Sequence, residues 1–446
     1  MFNRFALTLV LTMSLLAAPH SPSEENHRVP DPKRLDVWLF AGQSNSEGWA
    51  LLKAPVPTDP HVFFFNKDGH WVVAEEPLNQ NFDQYTPGPL EQNIRMQRQD
   101  VNMPKGSELD EFLKTQQAKW SGALGGLGPG LMFGKHLHEA TGHDIGLIST
   151  GRGSPIREWD PDSTPQEKLY TNMIERARAS GGTVKGLIWY QGESDAITPG
   201  ASKVYQAALT RFIHGVRRDL QQPDLPVICV QTGRFAYPYH SSAPDWEAVR
   251  EAQRQTALQV PNVWLVSSLD LLLEDVIHVG FEGYRRLTPR MAEVALSQVY
   301  KLPGHGTPIT LESAELIATD SRRPMIRVKF QGVTGHLKSE GMASGFEIRT
   351  RMKEEDPAAK YPEKPTSNVP IYAVYRVDFD PADPAAVILG LFDAAPVVLG
   401  THHPLCGPLG LMYGPGLNPN ANITDDKDMP LPAFGPFDVA AGECKK

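Results

Sequence analysis

Residues 37–48 read V-W-L-F-A-G-Q-S-N-S-E-G. The apolar first half is typical of a buried strand, which is interrupted at Gly42. The polar cluster Gln43-Ser44-Asn45 follows at once. Open parallel α/β sheets place their sites beyond the carboxyl ends of the strands, so Ser44 is well placed to be an exposed nucleophile. A G-x-S tripeptide also occurs in ordinary turns, so this interpretation requires a base, an acid and oxyanion donors elsewhere in the chain.

The region after this stretch alternates between short apolar runs typical of strands and longer periodic segments typical of helices. The predicted strands are residues 36–41, 61–66, 145–149, 184–190, 227–231 and 263–267. The predicted helices are residues 131–141, 165–179, 201–220, 246–258 and 282–300. This alternation predicts right-handed βαβ units and a parallel sheet, so several Gly-rich and polar strand ends lie along one edge.

A different pattern begins at residue 302. Short alternating runs at residues 309–317, 325–330, 346–350, 371–379 and 386–391 are separated by turns rich in Pro, Gly and Asn, which predicts a β-sandwich. We therefore expect an α/β domain over residues 35–301 and a β-rich domain over residues 303–446. The polar segment 75–124 is predicted to be an insertion, either a lid or substrate wall or an ordinary surface excursion.

The N-terminus has the order of features found in secretory signals. Arg4 precedes the apolar segment 6–18, and the small residues Ala17 and Ala18 come before a polar stretch. This order predicts a signal peptide over residues 1–20 and a secreted or periplasmic protein, with no membrane association after cleavage. A membrane anchor is the alternative, but the apolar run is short for a span.

The composition limits the classes of partner and cofactor. The chain of 446 residues has a formal net charge of −9 and no basic stripe, which argues against a nucleic-acid partner. Its three cysteines, Cys229, Cys406 and Cys444, lack C-x-x-C spacing, so no metal site is expected. An oxidising compartment would allow one disulfide, for which Cys406 and Cys444 are the favoured pair.

A candidate base lies in the loop before the last predicted helix. The sequence D-V-I-H places Asp275 three residues before His278. This spacing puts both side chains on one side of a turn, so Asp275 can accept a hydrogen bond from the imidazole and fix its tautomer. An isolated D-x-x-H is usually structural, and the assignment therefore depends on the other motifs.

Four motifs occur in order: G-Q-S-N at residues 42–45, T-G-R-G at 150–153, W-Y-Q-G-E-S-D at 189–195 and D-x-x-H at 275–278. Together they resemble the SGNH-hydrolase superfamily, and within it the sialate O-acetylesterase and acetylxylan-esterase group of carbohydrate esterases. The resemblance covers residues 36–300. It implies a flavodoxin-like three-layer α/β/α sandwich and a serine esterase that acts without a cofactor.

The resemblance also implies a role for each catalytic residue. Ser44 would be the nucleophile, His278 the general base and then the acid, and Asp275 the residue that orients His278. Glu193, the Glu of Q-G-E, is the alternative triad acid, because some members of the group are described with it. We favour Asp275, since its spacing to His278 is local.

The oxyanion donors implied by the resemblance are the backbone N–H groups of Ser44 and Gly153 and the side-chain amide of Gln191. Three such donors match the needs of acyl transfer. Relatives usually carry a Gly-Gly pair where this chain has Arg152-Gly153. Arg152 is therefore a candidate substrate contact.

Further substrate contacts are expected near the strand ends. Trp159 follows the second motif and is the preferred aromatic for stacking on a sugar ring, and Trp49 also lies near the nucleophile. Arg157 and Arg234 follow predicted strands and are candidates for an acidic sugar. Gln43, beside the nucleophile, completes the candidate set.

The sequence thus predicts a secreted serine esterase that removes O-acetyl groups from a carbohydrate through an acetyl-serine intermediate. The substrate would be an acetylated polysaccharide or sialic acid. The alternatives are a lipase or thioesterase on the same fold and a non-catalytic carbohydrate-binding protein with a relict site. The sequence does not predict the sugar, the acetyl position or the oligomeric state.

Overall fold

The computed structural model describes residues 29–50, 56–78, 126–162, 168–237, 241–318, 323–350, 372–393 and 409–439. The predicted signal peptide and nearly all of the predicted insertion at 75–124 lie outside the described residues. Cys406 and Cys444 also lie outside them, so their pairing stays a prediction. Cys229 is a buried free thiol.

A seven-stranded sheet forms the centre of the region before residue 302. Its strands are β1 (Asp36–Gly42), β2 (Val62–Phe65), β3 (Trp71–Val73), β4 (Ile145–Ser149), β5 (Thr183–Tyr190), β6 (Val227–Gln231) and β7 (Val263–Ser267). The spatial order is β3-β2-β4-β1-β5-β6-β7, and every pair except β2 with β3 is parallel. Without the β2–β3 hairpin at the edge, the other five strands follow the order 2-1-3-4-5 of doubly wound sheets. The predicted α/β architecture with a parallel sheet is confirmed.

Helices cover both faces of this sheet. The central strand β1 is accordingly apolar on both of its faces. Trp38 and Phe40 belong to one hydrophobic core, whereas Val37 and Leu39 belong to the other. The α-helices among the described residues of this region are α1 (Ser44–Glu47), α2 (Gly130–Thr141), α3 (Lys168–Ala179), α4 (Glu193–Ile197), α5 (Tyr205–Asp219), α6 (Ala243–Gln259) and α7 (Phe281–Val294). Apolar residues of α2 and α7 fill the first core, and those of α3, α5 and α6 fill the second. Strong burial on both faces holds the strand ends of the sheet in place.

None of the helices that the structure describes is long and apolar enough to cross a membrane.

The C-terminal region consists of antiparallel sheets. Its strands are β8 (Thr310–Ala318), β9 (Met325–Gln331), β10 (Lys338–Ser339), β11 (Phe346–Thr350), β12 (Tyr372–Phe379), β13 (Ala386–Asp393), β14 (Leu409–Tyr413), β15 (Ile423–Thr424) and β16 (Phe434–Val439). They form sheets in the orders β12-β13-β9-β8, β11-β14-β16 and β10-β15. Apolar side chains of the two larger sheets share one core, in which the rings of Phe330 and Phe434 lie 6.3 Å apart.

Five of the described strands were not predicted from the sequence: β3, β10, β14, β15 and β16. β14 is buried at every position, so it lacks the polar residues that produce an alternating pattern. β16 contains Gly435-Pro436, which reads as a turn in sequence. β3, β10 and β15 have two or three residues each, too few to show a period.

A buried arginine joins the two regions. The side chain of Arg250 on α6 is 1% exposed, and in the part of the chain that the structure describes none of its hydrogen-bond partners is a carboxylate. Its guanidinium donates instead to main-chain carbonyls that follow β6 and β14, those of Thr232, Gly233, Gly414, Gly416 and Leu417. Burial lowers its pKa to about 10, so it remains charged at neutral pH. The side chain of Gln231 adds paired hydrogen bonds to the main chain of Ala433. The C-terminal region is thus fixed to the strand ends near Arg250.

We expect Arg250→Leu to lower the free energy of unfolding by at least about 3 kcal/mol, because each buried carbonyl left unpaired costs about 1 to 3 kcal/mol. Urea unfolding followed by circular dichroism measures this loss. Arg254→Leu on the same helix is the matched control, since within the described ranges the salt bridge of Arg254 is to the neighbouring Glu251. Equal losses in the two variants would contradict the importance of the buried contact.

Candidate active site

Ser44, His278 and Asp275 meet beyond the carboxyl end of β1. Nε2 of His278 lies 2.9 Å from Oγ of Ser44, and Nδ1 lies 2.6 Å from Oδ2 of Asp275. Because Asp275 accepts from Nδ1–H, Nε2 carries a lone pair and accepts the hydroxyl proton of Ser44. The structure therefore brings the predicted nucleophile, base and acid into one hydrogen-bonded chain.

The turn that carries Ser44 depends on glycine. Gly42 has φ = +134°, and a Cβ there would lie 2.0 Å from the carbonyl oxygen of Tyr190 on β5. That carbonyl accepts from the N–H of Gln43. The chain then enters α1 with Ser44 as its first residue, and Ser44 is partly exposed while its neighbours are buried. This close approach of β1 and β5 aims the hydroxyl out of the sheet edge.

The carboxylate of Asp275 is held by several donors. Its Oδ1 accepts from the backbone N–H groups of Ile277 and His278, each at 2.8 Å. Burial by itself would raise the pKa of Asp275, but the hydrogen bond and charge of His278 and these N–H groups outweigh it and lower that pKa. Asp275 therefore stays ionised and can stabilise an imidazolium.

Glu193, the alternative acid, does not contact His278 in a hydrogen bond. Its side chain is 1% exposed, and Oε1 accepts from the amide of Asn45 at 2.7 Å. Its Oε2 has no hydrogen-bond partner among the described residues. Burial raises the pKa of Glu193. The geometry therefore favours Asp275 as the partner of His278.

Two of the three predicted oxyanion donors are available. Among the described residues, the backbone N–H groups of Ser44 and Gly153 donate to no protein acceptor. The side chain of Gln191 differs, because it is fully buried and Nε2 donates to Oδ2 of Asp195 at 2.6 Å and to the carbonyl of Ser154 at 3.2 Å. In this arrangement the amide of Gln191 is engaged with the protein, and its part in an oxyanion hole stays a prediction.

Two predicted substrate contacts are wrong. Trp159 is fully buried and packs edge-on against Trp189 and Phe212, so it cannot stack on a sugar. Gln43 is 5% exposed, and its Oε1 accepts from the N–H groups of Gly192 and Ser194, so it holds the loop after β5. In both cases a strand end that looked exposed in sequence is covered by packing.

The three predicted arginines have different surroundings. Arg152 and Arg157 are exposed on the loop that follows β4, and the N–H of Arg152 donates to the carbonyl of Gly42 next to the nucleophile turn. Arg234 is instead partly buried, and its guanidinium donates to Leu271 and Asn418. Arg152 and Arg157 therefore place two exposed positive charges on the segment after β4, whose main chain contacts the nucleophile turn, whereas Arg234 joins loops of the two regions.

A stacked aromatic was not predicted as a partner of the histidine. The ring of Trp49 lies 4.8 Å from the imidazole of His278, with 13° between the planes. Its Nε1 donates to Glu47 at 3.2 Å, which fixes the orientation of the ring. The only sequence signal was the short distance from Ser44, which indicates proximity and not stacking. Within the described residues, no cluster of His, Cys, Asp and Glu is arranged to bind a metal.

The comparisons with known proteins agree with this geometry. A model of the family described as carbohydrate esterase, sialic acid-specific acetylesterase, matches residues 34–297, more than half of the chain. The chain belongs to this carbohydrate esterase family. The matched range contains Ser44, Asp275 and His278, and the protein is accordingly a carboxylic ester hydrolase.

Individual relatives extend the comparison. A protein of Arabidopsis thaliana named "Probable carbohydrate esterase" is 28% identical over 286 residues, which cover 62% of this chain and 96% of the relative. The crystal structure of a carbohydrate acetylesterase from Xanthomonas citri matches with a TM-score of 0.59 and 20% identity, over 90% of this esterase and 80% of that chain. The second match shows a shared fold.

We expect Trp49→Ala to lower the kcat of this esterase about tenfold, because a ring over a developing imidazolium contributes about 0.5 to 2 kcal/mol. Trp49→Phe keeps an aromatic face and should lose less than about threefold by the same reasoning. Steady-state kinetics on 4-nitrophenyl acetate compares the two. Equal losses of kcat in both variants would mean that the aromatic face over His278 does not contribute to kcat.

Proposed function

We propose that the protein is a secreted serine esterase that removes O-acetyl groups from carbohydrate through an acetyl-Ser44 intermediate. The observation that carries the proposal is the hydrogen-bonded chain from Ser44 through His278 to Asp275. The predicted signal peptide supports secretion. No step of this serine mechanism requires a metal or an organic cofactor.

Acylation begins when Nε2 of His278 takes the proton of Ser44 as Oγ attacks the acetyl carbonyl. The tetrahedral intermediate places its negative oxygen toward the N–H groups of Ser44 and Gly153, each of which contributes charge stabilisation. The imidazolium then donates its proton to the sugar oxygen, the C–O bond breaks, and the free sugar hydroxyl leaves. Asp275 remains ionised throughout.

Deacylation repeats the sequence with water. His278 removes a proton from a water molecule, and the resulting hydroxide equivalent attacks the acetyl-serine carbonyl. The second tetrahedral intermediate collapses as His278 returns the proton to Oγ of Ser44. Acetate is released and the resting state is restored.

Acidic sugars are the substrates that the charges near the site favour. Arg152 and Arg157 are exposed on the loop that carries Gly153, and among the described residues neither guanidinium forms a salt bridge. A carboxylate on the sugar would therefore find a bidentate partner there. The description of the family as sialic acid-specific supports this choice.

We expect wild-type protein to hydrolyse 4-nitrophenyl acetate at least about tenfold faster than the butyrate, with longer esters slower still, since added methylenes must fit the same acyl site. Ser44→Ala should lower kcat by at least about a thousandfold. Release of 4-nitrophenol is the measurement. Preference for long acyl chains would favour a lipase, and inactivity on both this ester and acetylated glycans would favour a binding protein.

We expect Arg152→Gln and Arg157→Gln to raise the KM for O-acetylated sialic acid by about three- to tenfold, because each removes a charge-assisted contact worth roughly 1 kcal/mol. The neutral ester 4-nitrophenyl acetate should respond much less. Acetate release at fixed ionic strength gives both constants. Arg218→Gln, an exposed arginine on α5, is the matched control, and an equal effect of that variant would point to general charge alone.

A further inference from the structure

The side chain of Asn45 links the nucleophile to the loop of the base. Asn45 directly follows Ser44 in the chain. Its Oδ1 accepts from the N–H of Val279 at 2.9 Å, and its Nδ2 donates to the carbonyl of Ile277 at 3.3 Å. These two contacts lie on either side of His278. A single amide therefore ties the element that carries Ser44 to both flanks of the residue that must receive its proton.

Glu193 fixes the orientation of this amide. The second hydrogen of Nδ2 points to Oε1 of Glu193 at 2.7 Å. If the amide of Asn45 rotated by half a turn, its oxygen would face Glu193 and its NH2 would face the N–H of Val279. The contact with Val279 would be repulsive and Oε1 of Glu193 would lose the hydrogen that it accepts, so Val279 and Glu193 favour the same orientation of the amide.

The position of Glu193 is itself determined by the neighbouring turn. Gly192 has φ = +155°, and a Cβ there would lie 2.2 Å from Oγ1 of Thr232, so the turn is tightly enclosed. Oε1 of Gln43 accepts from the N–H groups of Gly192 and Ser194 on both sides of Glu193. Gln43 and Asn45, the residues on either side of Ser44, thus hold the loops that follow β5 and β7.

Glu193 also lacks the contact that a triad acid requires. Nδ1 of His278 is engaged with Asp275 at 2.6 Å, and among the described residues the Glu193 side chain accepts from the side chain of Asn45 alone. Tyr284 secures Asn45 further, by donating to its main-chain carbonyl at 2.8 Å. In the hydrogen bonds of the described residues, the carboxyl group of Glu193 is therefore linked to the loop of His278 through Asn45.

We propose that Glu193 is a positioning residue that sets the separation of Ser44 and His278 by orienting Asn45, and that it is not the acid of the triad. The inference rests on the proposed serine mechanism. It extends that mechanism because it assigns a positioning role to Glu193, a buried carboxyl group that transfers no proton in the mechanism. Displacement of a catalytic group by about 1 Å can lower the rate about a hundredfold. Loss of the contacts of the Asn45 amide should therefore lower kcat.

The first test contrasts conservative substitutions at the two carboxyl groups. Glu193→Gln keeps an oxygen that can accept from Asn45, so we expect kcat within about fivefold of wild type, whereas Glu193→Ala should lose about 10- to 100-fold. Asp275→Asn removes the charge and the tautomer control, and should lose at least about a thousandfold. A loss in Glu193→Gln as large as that in Asp275→Asn would overturn the proposal, even if Glu193→Ala failed to fold.

The second test is a double-mutant cycle. Asn45→Ala should lower kcat about 10- to 100-fold, and the double variant Asn45→Ala/Glu193→Ala should lie within about threefold of it, because Glu193 acts through Asn45. KM should change by less than about threefold, since both side chains are buried away from the substrate. Additive losses in kcat would show that Glu193 acts on His278 independently and would overturn the proposal.

A matched control separates positioning from general stability. Asp425 is a fully buried carboxyl group in the C-terminal region that accepts from the N–H groups of Thr334, Lys427 and Met429. Asp425→Ala should lower the melting temperature but leave kcat on 4-nitrophenyl acetate at the wild-type value below that temperature. If kcat followed the melting temperature alike in Asp425→Ala and Glu193→Ala, the role of Glu193 would be structural only. Activity that survives Ser44→Ala would instead refute the proposed serine mechanism itself.

Discussion

The close approach of β1 and β5 at Gly42 is the constraint on which the site depends. Because a side chain at Gly42 would overlap the carbonyl of Tyr190, the chain can turn sharply only with glycine there. The turn places Gln43, Ser44 and Asn45 together at the sheet edge. Two amides then bind the loops after β5 and β7, and the hydroxyl between them faces the imidazole.

The rest of the fold keeps this turn from relaxing. Both faces of β1 are buried, so the strand end cannot shift without exposing apolar surface of Trp38 or Leu39. The C-terminal region adds a second restraint, because Arg250 binds carbonyls that follow β6 and β14. The loops around the site are therefore supported from the sheet and from the C-terminal sheets together.

The two carboxyl groups near the histidine show how environment separates function. Asp275 is surrounded by donors, and its pKa is lowered despite burial. Glu193 accepts from Asn45 through Oε1, its Oε2 has no hydrogen-bond partner among the described residues, and burial raises its pKa. Groups of the same chemistry thus suit different tasks: the ionised one supports an imidazolium, and the buried one orients an amide. The stacked ring of Trp49 stabilises the imidazolium that forms on His278 by a cation–π interaction.

Local patterns in the sequence determined the α/β core, the β-rich C-terminal region and the positions of Ser44, Asp275 and His278. Strand and helix periods, and the three-residue spacing of Asp275 and His278, are short-range properties. Tertiary structure alone decided that Trp159 is buried, that Gln43 holds a loop and that Trp49 stacks on His278. Each of these outcomes depends on segments far apart in the chain, and Ser44 and His278 themselves are separated by 234 positions. The packing of the sheet fixes such distances, and no local pattern carries that information.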